Sequence, residues 1–234
     1  MPTAPTPTSQ RLRSAPWWIG LHGWVLQAGN YTDFMVGQRR QFALEFAYSR
    51  ARRLKPDSPA LQPHCQYTGR GTLYDVAGPL VQAGDEPARD LFVCDFGLVA
   101  YTNWLVLDDM EPPSPGTWLT GEVALSVDPF DYMDRFTHRP GVPPLIYTWR
   151  IEDIQLSTTP RIEVEYGHPL YSGPDEGRRL VEDPTRETWR SIDRTRMWAD
   201  NGHYRLRCTR ENHAPTSSMD ATGPASPYGP LKSP

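Results

Sequence analysis

Segment after segment of this chain places a large apolar residue at every second position. That period of two constrains the fold more than any other feature, because a strand with one buried face requires it and a helix does not. In Gln41 to Tyr48 the even positions Phe42, Leu44, Phe46 and Tyr48 are apolar. Trp118 to Asp128 sets Leu119, Val123, Leu125 and Val127 on one side and Trp118, Thr120, Glu122 and Ser126 on the other. Arg161 to Tyr166 turns Ile162, Val164 and Tyr166 inward. Leu145, Tyr147, Trp149 and Ile151 alternate until the phase slips to Ile154 and Leu156, which predicts a bulge near Glu152-Asp153. With the apolar runs at 19–27, 72–77, 91–95, 99–107 and 203–208, the pattern predicts about nine short strands.

The 25 prolines and 18 glycines punctuate these runs and supply their turns. Helix signal is confined to Asp128-Pro129, an N-cap residue followed by proline at the first helical position, which predicts one short helix over Phe130 to Phe136. The expected fold is mainly β, an antiparallel barrel or barrel-like sandwich. Residues 16–213 read as one domain, with a sub-boundary near 157–160 and 161–213 as an extension ending in a hairpin. Residues 1–15 and 214–234 are Pro, Ser, Thr, Ala and Gly with little to bury, and read as disordered tails.

A mean hydropathy of -0.59 goes with a soluble chain. No apolar run approaches the roughly 18 residues of a spanning helix, so no membrane is expected. Cys65, Cys94 and Cys208 are odd in number and far apart, and the N-terminus carries no basic-then-apolar leader. Together these predict a reduced, cytoplasmic setting.

The strongest local signal is Asn201-Gly202 between two alternating runs, the pattern of a tight hairpin. As turn residues they would pair Trp198 with Arg205 and Arg196 with Arg207, collecting Arg194, Arg196, Trp198, His203, Arg205 and Arg207 on one face opposite Thr195, Met197, Ala199, Tyr204, Leu206 and Cys208. Four arginines beside a tryptophan read as a surface for an acidic partner, phosphate or single-stranded nucleic acid. The competing reading is neutralisation within the chain, since residues 61–160 carry 14 Asp/Glu against 5 Arg. Asp108, Asp109, Glu111, Asp128, Asp131 and Asp134 are the counter-charges that reading names.

Trp17-Trp18 at the start of the domain cannot both face inward on a strand, which makes the pair a candidate partner contact. Asp128, Asp131 and Asp134 lack the spacing of a calcium loop, and no metal or cofactor is expected. No nucleophile elbow, phosphate loop, dinucleotide fingerprint or zinc-protease motif occurs. The function expected first is therefore a non-catalytic cytoplasmic interaction module of the accessory, inhibitor or immunity kind, binding a protein through charged and aromatic sheet surfaces. Nucleic-acid or phosphate binding on the arginine face is the second expectation. An enzyme with a barrel-mouth site using His22 or the acidic cluster is the third, and a hollow or a packed interior separates it from the others.

Overall fold

The structure, a computed structural model, describes residues 16–54, 61–82, 91–105, 107, 113–165, 178–198, 202–212 and 214–219. In chain order the elements are β1 (Trp17–His22), a short helix (Gly23–Gln27), β2 (Arg39–Phe42), β3 (Leu44–Arg53), β4 (His64–Tyr67), β5 (Leu73–Gln82), β6 (Phe92–Asp95), β7 (Val99–Thr102) and β8 (Trp118–Val127). A second short helix (Tyr132–Phe136) is followed by β9 (Tyr147–Ser157), β10 (Arg161–Glu165), β11 (Arg178–Glu182), β12 (Trp189–Ile192) and β13 (His203–Arg210). No described helix is long and apolar enough to cross a membrane.

The fold is mainly β, and five strands close a barrel. Strand β8 pairs with β3 on one side and β5 on the other; β5 continues to β6, β6 to β7, and β7 returns to β3 in the one parallel step of the ring. Closure removes the unpaired edges that an open sheet of this size would expose. The alternation predicts the inward side residue by residue: Phe46, Leu119, Val123, Leu125 and Val127 are all buried in the main core. Val76, Leu80, Cys94 and Ala100 join them, so the strand faces are packed side chain against side chain.

A second circuit of pairings shares a wall with the first. Only Ala43 separates β2 from β3, yet β2 pairs with β9 while β3 pairs with β8. From β9 the pairing runs to β13, to β1, and back to β8. The bulge expected near Glu152-Asp153 is present: Arg207 lies opposite Asp153 and Cys208 opposite Ile151, leaving Glu152 as the extra residue. This is why Tyr147, Trp149 and Ile151 share a buried face with Ile154 and Leu156 despite the phase slip.

Three further departures from the sequence reading have local causes. Residues 23–27 are helical, because adjacent Val25 and Leu26 are both buried, which a helical turn permits and a strand forbids. The second helix begins at Tyr132 rather than Phe130, since Phe130 adopts φ 82°, a left-handed conformation incompatible with the first turn. Asp128 still serves the helix start, its Oδ1 accepting the Tyr132 N–H at 3.3 Å. The chain also stays attached past residue 213, where Thr216 and Ile146 exchange backbone hydrogen bonds of 2.8 and 3.0 Å. The expected tails at 1–15 and 220–234 lie outside the described residues.

Candidate anion-binding cleft

Strand β13 does not form the expected hairpin with residues 194–198. Both of its edges are occupied, by β1 in the register Trp17↔Cys208 to His22↔His203 and by β9 from Tyr204↔Leu156 onward. Burial overrides the turn signal: β1 and β9 offer Trp17, Ile19, Leu21, Ile151 and Ile154 to the face of Tyr204, Leu206 and Cys208, and all are buried. The 194–198 run offers only Thr195 and Met197 to that face. Asn201 lies outside the described residues.

The alternation within each run nevertheless holds. In β13, His203, Arg205 and Arg207 face away from the core, and each meets a partner. The Arg205 guanidinium is held between the rings of Trp18 and Trp189, 4.5 Å from each centroid. Its Nε donates to Gln155 Oε1 at 2.8 Å, and it lies 3.7 Å from Glu187. The bulge residue Glu152 receives Arg207 at 3.4 Å and the Thr209 hydroxyl at 2.5 Å. His203 is 3.7 Å from Glu182 and packs edge-on against His22, with ring centroids 4.9 Å apart. Neutralisation within the chain thus occurs on this strand. It comes from Glu152, Glu182 and Glu187 rather than from Asp128, Asp131 or Asp134; Asp108, Asp109 and Glu111 lie outside the described residues.

Arg194 and Arg196 sit elsewhere. Thr195 is fully buried, accepting the Phe34 N–H at 2.9 Å and donating to Asp33 at 3.1 Å, and this pins the segment so that its neighbours on either side point outward. Met197 N–H also donates to Asp33 at 2.8 Å. Arg194 pairs by its backbone with Met35. Upstream, β12 adds Arg190 and Ile192, which stand opposite Leu156 and Ile154 on the core side of the sheet, with Ile192 packed on the main core; the alternation slips a phase before the buried Thr195. Residues Arg190 to Arg194 together with Arg196 line an open cleft of about 520 Å³. Among the described residues, no carboxylate pairs with the guanidinium of Arg190, Arg194 or Arg196. Trp198 at 74% exposure follows the cleft, and exposed Met35 and Val36 lie beside it through the backbone contacts at Arg194 and Asp193.

No protein family, curated protein or solved structure matches this chain. The remaining candidates are therefore judged on geometry alone. Trp17 is buried against Tyr74, with ring centroids 5.5 Å apart, and Trp18 is half-covered by Arg205, so this pair belongs to the core and to the arginine stack. Desolvation of its ring, and then the neighbouring His203, lower the pKa of His22 to about 4, leaving it neutral at pH 7. No hydrogen bond or ion pair joins it to Asp128. Burial pushes the thiols of Cys65, Cys94 and Cys208 up, so none is an activated nucleophile.

A buried carboxylate cluster lies at one end of the barrel. Asp128 accepts the Tyr101 hydroxyl, and desolvation pushes its pKa up to about 6. Glu45, opposite Tyr101 on the paired strand, is pushed up to about 7 by desolvation and by Asp128 and Asp131. Asp131 itself pairs with Arg135 at 3.4 Å and accepts from Asn103 at 3.2 Å. Among the described residues, no group of three or more His, Cys, Asp and Glu is arranged to hold a metal ion.

The sequence reading missed Arg190, Ile192 and Asp193, the upstream half of the cleft. The period of two that runs through Arg194 and Arg196 slips between Thr195 and Ile192, so it does not point back to them.

Proposed function

We propose that this protein is a non-catalytic binding module that takes an acidic segment of a protein partner in the cleft of Arg190, Arg194 and Arg196. The observation that carries this reading is the contrast between the two sets of arginines. Those on β13 are stacked or ion-paired, whereas among the described residues no carboxylate pairs with the three in the cleft, which Asp193 also lines. A guanidinium fork binds carboxylates bidentately, and an exposed tryptophan at the rim is a common anchor in protein interfaces. The packed strand faces and the lack of a hydrogen bond or ion pair between His22 and Asp128 count against the barrel-mouth enzyme. Nucleic-acid binding has lost Arg205 and Arg207, whose charges are already met, and the chain's net charge of -4 opposes a polyanion at long range. Three free, buried cysteines fit a reducing cytoplasmic setting.

The test is fluorescence anisotropy with a labelled acidic octapeptide alternating Glu and Thr, alongside an oligo-dT of matched charge, at low salt. Arg194→Glu with Arg196→Glu is expected to weaken peptide binding at least about tenfold, the scale of one lost charge-assisted contact. Arg207→Glu, on the neutralised strand, should change it by less than about twofold. Equal affinity of the double variant and the parent would overturn the cleft as the site, and tighter binding of oligo-dT than of peptide would favour the nucleic-acid reading.

A further inference from the structure

The cleft has a backbone wall as well as an arginine one. Strand β12 stands at the end of the sheet order and, among the described residues, pairs with β9 alone, in the register Trp189↔Ser157, Arg190↔Leu156, Ser191↔Gln155 and Ile192↔Ile154. The direction of its free groups follows from one bond. Thr158 N–H donates to Thr188 C=O at 2.9 Å, which makes 188 and 158 a hydrogen-bonded pair. Hydrogen-bonded pairs alternate along an antiparallel ladder, so Arg190 and Ile192 turn their backbone groups toward β9. Trp189 and Ser191 then turn theirs outward. Among the described residues, nothing receives those two N–H groups or donates to those two C=O groups.

An unpaired edge is a template for another strand, and chains blunt such edges with charge. Arg190 alone would serve that purpose. Arg194 and Arg196 lie beyond the strand, where they protect no edge, yet they face the same cleft. We infer that the acidic segment is bound in extended form as an added strand on β12, with its backbone on Trp189 and Ser191 and its carboxylates within reach of the cleft arginines. The inference rests on the function proposed above and adds the mode of recognition. Strand addition draws its affinity from main-chain hydrogen bonds and its selectivity from alternate side chains. A period-two acidic segment suits Arg194 and Arg196, which lie two residues apart on the side away from the buried Thr195.

Two variants of the same octapeptide test it, N-methylated at every second amide in one or the other phase. Methylation leaves charge untouched, removes the donor and adds the same bulk and tertiary amides to both peptides, so the two phases differ only if one row of amides faces a strand. One phase is expected to weaken binding to the parent protein about tenfold, as for two lost hydrogen bonds, while the other stays within about twofold of the unmodified peptide. Hydrogen exchange at Trp189 and Ser191 should slow when the unmodified peptide is bound. Equal affinity of both phases, with exchange at those amides unchanged, overturns strand addition while leaving the arginine cleft in place. No binding of the unmodified peptide, or equal binding to the Arg194→Glu, Arg196→Glu protein, overturns the function on which it rests.

Discussion

At single positions the fold is decided by how closely backbones approach. An added Cβ at Gly78 would lie 2.0 Å from the Asp95 carbonyl oxygen, so β5 and β6 meet there only because the residue has no side chain. Gly78→Ala must push the two strands apart, and is expected to cost about 1 to 3 kcal/mol in chemical denaturation. A stability equal to the parent's would show that the strands can separate freely. Glu45 acts through charge. In the folded chain its pKa is raised from 4.5 to about 7, so the native state holds a proton that the unfolded chain has released. The sign follows: Glu45 favours folding below about pH 4.5, and that contribution is lost as the pH rises toward about 7. The melting temperature of the parent should therefore fall across this window more steeply than that of Glu45→Gln, and parallel profiles would exclude the effect.

At the scale of elements, a short helix covers what the barrel leaves outside. Val93 and Tyr101 are directly paired on β6 and β7 and point out of the ring; Tyr132 and Phe136 of the second helix cap them, with Ala43, Leu91, Leu145 and Ile146 completing a second apolar cluster. Phe136 is fully buried, with the guanidinium groups of Arg135 and Arg139 about 5.1 Å from its ring centre. Phe136→Ala is expected to destabilise the protein by about 3 to 5 kcal/mol, read from the denaturation midpoint. A loss below about 1 kcal/mol would mean that the helix packs loosely on the barrel. Much at this scale is legible in the sequence. The faces of β3, β8 and β9, and the bulge near Glu152-Asp153, follow from period and phase alone. Strands β4, β11 and β12 are not legible, because each is short and at least one of its sides finds no core to impose alternation.

Over the whole molecule, two circuits of strands share β8 and the continuous β2–β3 run, so residues distant in sequence become neighbours. Trp18, Gln155, Glu187, Trp189 and Arg205 come from four strands and a loop to form one stack. That assembly answers the charge of Arg205 and the bulge answers that of Arg207, whereas among the described residues no carboxylate pairs with Arg190, Arg194 or Arg196. The expected sensitivity of peptide binding to Arg194 and Arg196, and its indifference to Arg207, is a property of this arrangement and could not be read from the even spacing of the arginines along the chain. The sequence by itself determined which side of each strand faces the core, because the pleat turns successive side chains to opposite faces whatever the partner strand. Only the tertiary structure decided which strands are neighbours: the Asn201-Gly202 signal is local, whereas β13 gains far more buried apolar surface between β1 and β9 than residues 194–198 could offer. Pairing, and with it the neutralisation of Arg205 and Arg207, is settled by that larger burial.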